Sequence, residues 1–150
     1  MGLDMFLYKV KREEAAYWRK ANAIHSWFER NVADGEIENC EDYYVSKEKL
    51  IKLRDDCNKV LNSLKVVDGQ VKNGERLENG QWVPLYESGK VVENASVAEE
   101  LMPTERGFFF GSTDYDQYYL EDLRSTVSQI DKILEETDFD NYNIVYNAWW

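Results

Sequence analysis

The stretch VSKEKLIKLRDDCNKVLNSL, residues 45–64, decides the helical part of the fold. Leu50, Leu53, Cys57, Val60, Leu61 and Leu64 recur at helical spacing, so one stripe is apolar and the rest is charged. Ser46 has the side chain of an N-cap, and Val45 and Leu50 have the spacing of a hydrophobic staple around it. A helix from Ser46 is the best-specified element of the chain, and its stripe demands partners.

Two further helices supply them. After the charged run Lys11 to Glu14, a helix to about Val32 places Tyr17, Ala21, Ile24, Phe28 and Val32 on one face, and Asp34-Gly35 stops it. Residues 34–42 read as an acidic loop. A third helix runs from Thr113, as N-cap, to about Thr137, with Tyr119, Leu120, Leu123, Val127, Ile130 and Leu134 inward. Asp114 and Asp116 fall in its first turn, where the helix dipole favours negative charge.

Strand signals lie at both ends and in the middle. Residues 3–10 read as a largely buried strand, and residues 142–150 read as another; the two are expected to pair. Between 65 and 95, Asp68-Gly69, Asn73-Gly74, Asn79-Gly80 and Ser88-Gly89 punctuate β-prone pieces, Gln81 to Tyr86 and Lys90 to Val92. They predict one or two hairpins inserted into the helical body, with Pro84 confined to an edge strand. A short helix at about 96–101 ends at Pro103. The expected fold is therefore α+β, a single domain over 1–150. Three main helices pack with a small antiparallel sheet formed by terminal strands, and a β-hairpin region is inserted at 65–95.

The bulk numbers agree with such a domain. At 150 residues and 43% hydrophobic, the chain can bury roughly two-thirds of its unfolded surface. Five Trp and ten Tyr exceed what core packing alone uses, and the surplus suits a pocket or an interface. Net charge is −11, from 29 acidic and 18 basic residues, which repels phosphate backbones and anionic membranes at long range. Direct nucleic-acid binding and membrane binding are therefore not expected. Cys40 and Cys57 lack metal-type spacing and are too few for a disulfide scaffold; Cys57, on the apolar stripe, reads as a buried thiol. Met1 to Val10 contains Asp4 and Lys9 and is too short to export or span, so the expected compartment is the cytoplasm. Asn94-Ala95-Ser96 is a glycosylation sequon with no other sign of secretion beside it.

Three segments carry a resemblance. They are the opening Met-Gly-Leu-Asp-Met-Phe-Leu, the stretch Ala16-Tyr17-Trp18-Arg19-Lys20-Ala21-Asn22-Ala23-Ile24-His25-Ser26-Trp27-Phe28, and Leu101-Met102-Pro103-Thr104 leading to Gly107-Phe108-Phe109-Phe110-Gly111-Ser112-Thr113. Together they resemble an uncharacterised family of small bacteriophage, prophage and bacterial proteins. The resemblance covers both ends and the first and third helices, with 65–95 as an insertion. It implies a viral context in the cytoplasm of a host cell, and no mechanism.

Two constellations have the residue types of a site. On a helix spanning residues 15–32, Trp18, Asn22, His25 and Glu29 lie within about 60° of one another, flanked by Arg19 and Ser26. A stacking aromatic, an amide, an imidazole and a guanidinium side by side suit a nucleobase and its phosphate. The plainer reading is an interfacial strip, in which Trp18 packs, His25 bonds a backbone carbonyl and Arg19 meets a carboxylate. The second constellation is Gly107 to Thr113. Free N–H groups with Ser112 and Thr113 at a helix N-terminus form an anion site, or else a buried strand simply leads into a capped helix.

Catalysis is not signalled. The chain has a single histidine, His25, and no nucleophile elbow. No catalytic residue, metal-ligand set or cofactor is assigned; a metal site from His25 and carboxylates is the lesser reading. The first functional expectation is a phage-encoded anti-defence protein that binds and sequesters a nucleotide-like signalling molecule without chemistry. Its contacts are Trp18, Arg19, Asn22, His25, Ser26, Ser112 and Thr113, in a homo-oligomer held through Trp82, Trp149 and Trp150. The alternative is an acidic, anti-CRISPR-like inhibitor of a host nucleic-acid-binding defence protein. An enzyme centred on His25 comes third.

Overall fold

A computed structural model describes residues 2–107 and 110–150. Its elements in chain order are helix α1 (Asn22–Asn31), strand β1 (Asp42–Val45), helix α2 (Lys47–Ser63), strands β2 (Val66–Glu78) and β3 (Gln81–Val92), helix α3 (Ser96–Leu101), helix α4 (Gln117–Glu136) and strand β4 (Ile144–Asn147). The architecture is α+β. Among the described residues no helix is long and apolar enough to cross a membrane.

Helix α2 begins where its cap dictates. Ser46 is extended, and its hydroxyl accepts from the Lys49 N–H at 3.2 Å. Val45 and Leu50 are both buried beside it, and Leu53, Cys57 and Val60 continue the stripe into the core. Helix α4 supplies the opposing face with Tyr119, Leu120, Leu123, Ile130 and Ile133.

Helix α1 starts later than periodicity predicts. Residues 15–20 are not helical, and Lys20 adopts a left-handed conformation (φ 55°) that breaks the run just before Asn22. Its cause lies on α4: the Tyr17 N–H donates to Gln129 Oε1 at 2.7 Å, and the Trp18 indole N–H donates to Thr126 Oγ1 at 2.8 Å. Those two bonds draw the segment across α4 rather than along the axis of α1. Tyr17 is consequently exposed instead of joining the core face. From Asn22 to Phe28 every residue of α1 is buried, so this helix is enclosed all round rather than amphipathic. Beyond its end, Asp34 and Gly35 both have positive φ, and the Gly35 N–H closes onto the Glu29 carbonyl at 2.8 Å.

The small sheet has a different composition from the expected one. Strand β4 is C-terminal as predicted, but it pairs antiparallel with β1, in the register Asp42↔Asn147 to Val45↔Ile144. Residues 3–10 form no strand, and Leu3, Met5, Phe6, Leu7, Tyr8 and Val10 are exposed. Its two charges, Asp4 and Lys9, fall on opposite faces of a strand and the rest is apolar, so nothing in it fixes which side a sheet would bury. Strand β1 was hidden at the end of an acidic loop, and its short Tyr43-Tyr44-Val45 run gave the only hint. The Arg12 guanidinium pairs with the Asp42 carboxylate, tying the opening segment to this edge.

Strands β2 and β3 make one long hairpin, closed by Asn79-Gly80 with both residues at positive φ (50° and 77°). This is the two-residue turn that Asn-Gly favours, because its twist matches that of the strands. An irregularity at Lys72–Glu75 lies opposite Pro84, which the unpaired flank of a two-stranded ribbon tolerates. Gly69 and Gly89 face each other; a Cβ on Gly89 would stand 2.5 Å from the Val71 side chain, which is fully buried.

Helix α4 begins at Gln117, not after Thr113. Asp116 caps it, one carboxylate oxygen accepting from the Tyr118 and Tyr119 N–H groups at 3.0 and 3.1 Å. Residues before it run extended beside β3, where the Val92 N–H reaches the Tyr115 carbonyl at 3.0 Å. A carboxylate satisfying two orphan donors outcompetes the threonine hydroxyl as a cap.

Candidate functional site

Residues of α1 separated by four positions share a face, and His25 and Glu29 use theirs to line a cavity of about 320 Å³. The volume lies at the lower end of small-molecule sites. The loop after α3 contributes Glu105, Arg106, Gly107 and Phe110, the loop after α1 contributes Ile37, and Trp150 closes one side.

Asn22 holds the loop in place. Its side-chain N–H groups donate to the Phe110 and Ser112 carbonyls at 3.0 and 2.8 Å, and its Oδ1 accepts from the Glu105 N–H at 3.0 Å. These three bonds use most of what a buried amide can make. Thr104 adds a second tie, its hydroxyl donating to the Thr113 carbonyl at 2.8 Å. Asn39 performs the same task for Trp150, accepting from its N–H at 3.0 Å and donating to its carbonyl at 3.3 Å.

His25 is 8% exposed and sits among aromatic rings. Its ring centroid lies 5.1 Å from Phe110 and 5.5 Å from Trp150, both edge-to-face, and Phe110 meets Trp150 at 5.8 Å. Nδ1 is 2.7 Å from the Tyr146 hydroxyl, which fixes the ring's orientation. Tyr146 in turn stacks on Phe28 at 4.0 Å, and burial pushes its phenol up, so it stays protonated. The other nitrogen, Nε2, stands 3.8 Å from Glu29, beyond hydrogen-bond distance. Burial holds the imidazole below its ordinary pKa, opposed by the charge of Glu29.

Glu105 completes an acidic floor. Burial, the nearby charge of Glu29 and a hydrogen bond shared with Glu29 push its carboxyl up to about 7, against the opposing pull of Arg30. Among the described residues no N–H or O–H group donates to its buried Oε2. His25, Glu29 and Glu105 each present one donor atom, and all three atoms lie within 4.8 Å of one another.

The residues expected to form a ligand strip are thus divided. Trp18 precedes α1 and its indole is spent on Thr126; Asn22 is a clamp; Ser26 is buried, its hydroxyl accepting from Arg30 Nε at 3.4 Å. Arg19 is exposed on the preceding segment. Of the strip, His25 and Glu29 line the cavity. Ser112 and Thr113 do not open a helix: Ser112 Oγ accepts from the Asp114 N–H at 3.1 Å, and the first turn of α4 belongs to Asp116. Phe108 and Phe109, within the expected buried strand, lie outside the described residues, as does Met1 of the opening motif.

Sequence reasoning missed Glu105, Arg106 and Trp150 as site residues; Gly107 and Phe110, which line the cavity, fall inside the second constellation, whose expected contacts were Ser112 and Thr113. Thr104 to Gly107 reads as a turn, and nothing local says that a residue 80 positions from His25 returns to it. Comparison with known proteins finds no matching family model, no matching curated protein and no matching solved structure.

Proposed function

We propose that the protein binds and sequesters a nucleotide-like small molecule in the His25 cavity, without chemistry, as a phage-encoded anti-defence protein. The observation that carries this reading is the aromatic wall. His25, Phe110 and Trp150 meet edge-to-face around a concave space, leaving ring surface against which a planar base can stack. Arg106, exposed and lining the same space, is placed for a phosphate, which a planar guanidinium receives by paired hydrogen bonds. The Nδ1 of His25 is engaged by Tyr146, a phenol that keeps its proton.

A thermal-shift panel of cyclic and linear nucleotides in the presence of EDTA tests the reading. At least one member is expected to raise the melting temperature, and Trp150→Ala and Arg106→Ala are expected to remove most of that shift while folding normally. No stabilisation by any nucleotide overturns it.

A second reading, an acidic inhibitor that contacts a host defence protein, has its own support. Leu77 and Trp82 are cross-strand partners at the tip of the hairpin, and with Tyr86 they are exposed apolar area on a projecting ribbon. Co-purification with a host protein, lost in a Leu77→Ser/Trp82→Ser variant and unaffected by Trp150→Ala, would favour it over the first.

A further inference from the structure

The acidic floor beneath Arg106 has an unfinished coordination chemistry of its own. We infer that His25 Nε2, Glu29 and Glu105 bind one divalent transition-metal ion at the base of the cavity.

Four observations carry this. The three donor atoms already converge within 4.8 Å, from two separate parts of the chain. Ligand atoms on a tetrahedral ion with bonds of about 2.0–2.1 Å stand about 3.4 Å apart. Rotation of the two glutamate side chains closes that difference, because the imidazole is held from behind. Second, among the described residues no N–H or O–H group donates to the buried Glu105 Oε2, and the carboxyl's partner is another acid, Glu29; a buried acid pair of this kind calls for a proton or a cation between them. Third, the Tyr146 hydroxyl sits on Nδ1, where an acceptor fixes the ring of a metal-bound histidine and leaves Nε2 free. Fourth, among the described residues no Lys or Arg forms an ion pair with Glu29 or Glu105, although lysines and arginines pair with acids elsewhere on the surface.

The donor set selects the metal. One imidazole and two carboxylates are borderline, which suits Zn²⁺ or Mn²⁺; Mg²⁺ and Ca²⁺ favour all-oxygen sites, and Cu⁺ favours sulfur. Neither cysteine belongs to the cluster. Three protein ligands leave a position open toward the cavity, and a cation there reverses the sign of the floor beneath Arg106. The inference rests on donor geometry and is independent of the nucleotide reading, although the two are compatible.

The chain's only histidine gives an unambiguous probe. Untagged full-length protein, stripped with EDTA and free of nucleotide, is titrated with Zn²⁺ while long-range ¹H–¹⁵N spectra follow the two ring nitrogens. The Nε2 resonance is expected to move to a metal-bound position by one equivalent, with Nδ1 far less affected. Calorimetry with Zn²⁺ and Mn²⁺ should show one site, weakened about tenfold or more by Glu29→Gln and by Glu105→Gln. Cys40→Ser should leave it unchanged. An Nε2 resonance that stays in place in excess Zn²⁺ overturns the inference, as do glutamine variants that bind like the parent. Should either variant fail to fold, the parent's histidine spectrum decides alone. Because the nucleotide panel is run in EDTA and the metal titration without nucleotide, either idea can fail while the other stands.

Discussion

Helices α1 and α2 begin in opposite ways. The start of α2 is written in its own six residues: Ser46 caps it, Val45 and Leu50 brace the entry, and a regular stripe follows. The start of α1 is imposed from a distance. Ala21 offers no side-chain cap, Lys20 takes a left-handed turn, and the preceding Tyr17 and Trp18 are held by α4 more than a hundred residues away. A local rule therefore reads α2 correctly and overextends α1. The lesson is that an apolar period tells where a helix can run, while competing side-chain bonds decide where it stops.

The comparison can be broken at both N-termini. The largest effect is expected at α1. Asn22→Ala removes three bonds to the loop that carries Glu105, Phe110 and Ser112, and should cost about 2–4 kcal/mol in urea unfolding. Amide exchange at Glu105 should accelerate with it. Were Asn22 merely a ligand contact, stability would be unchanged and only binding would suffer. At α2 the corresponding change is smaller: Ser46→Ala should cost about 1 kcal/mol, seen as a lower denaturation midpoint with an unchanged slope. A loss as large as that of Asn22→Ala would mean that α2 also depends on long-range ties.

The smallest effect concerns α4, the helix that restrains the approach to α1. Burial, followed by the charges of Glu121 and Asp116, pushes the Asp122 carboxyl up to about 6. A carboxyl with a raised folded pKa favours the folded state below its unfolded pKa of about 4, and that contribution is lost as pH rises through about 6. Asp122→Asn should therefore melt above the parent at pH 8, with the advantage shrinking toward pH 4. An advantage that grew toward acid pH would show the sign to be wrong.

What was legible in the sequence follows the same division. Regular apolar spacing marks α2 and most of α4, because that signal is local and physically sufficient; of the four glycine turn signals only Asn79-Gly80 closes the hairpin, while Asp68-Gly69, Asn73-Gly74 and Ser88-Gly89 lie within its strands. The sheet was legible in one strand only. Ile144-Val145-Tyr146 announces β4, but its partner is four residues at the edge of an acidic loop, whereas the more apolar run 3–10 lies exposed. Hydrophobicity alone did not choose between them. At the site, His25 was found because it is the chain's only imidazole beside a buried face. Glu105 and Trp150 were not, because pocket membership is a property of loop return and carries no period.

One feature reaches further than its geometry. Between Asn22 and Glu29 the same two turns hold both the molecule's interior and part of its cavity's lining, with His25 set between Ile24 and Ser26. Variation on this helix is taxed twice, once in folding and once in recognition. Drift in what the cavity accepts is left to residues of lesser structural duty, Arg106 on its loop and Trp150 on the far wall. A lineage under pressure to change its ligand would be expected to vary there first, and a selection experiment would find its winners in the loop rather than the helix.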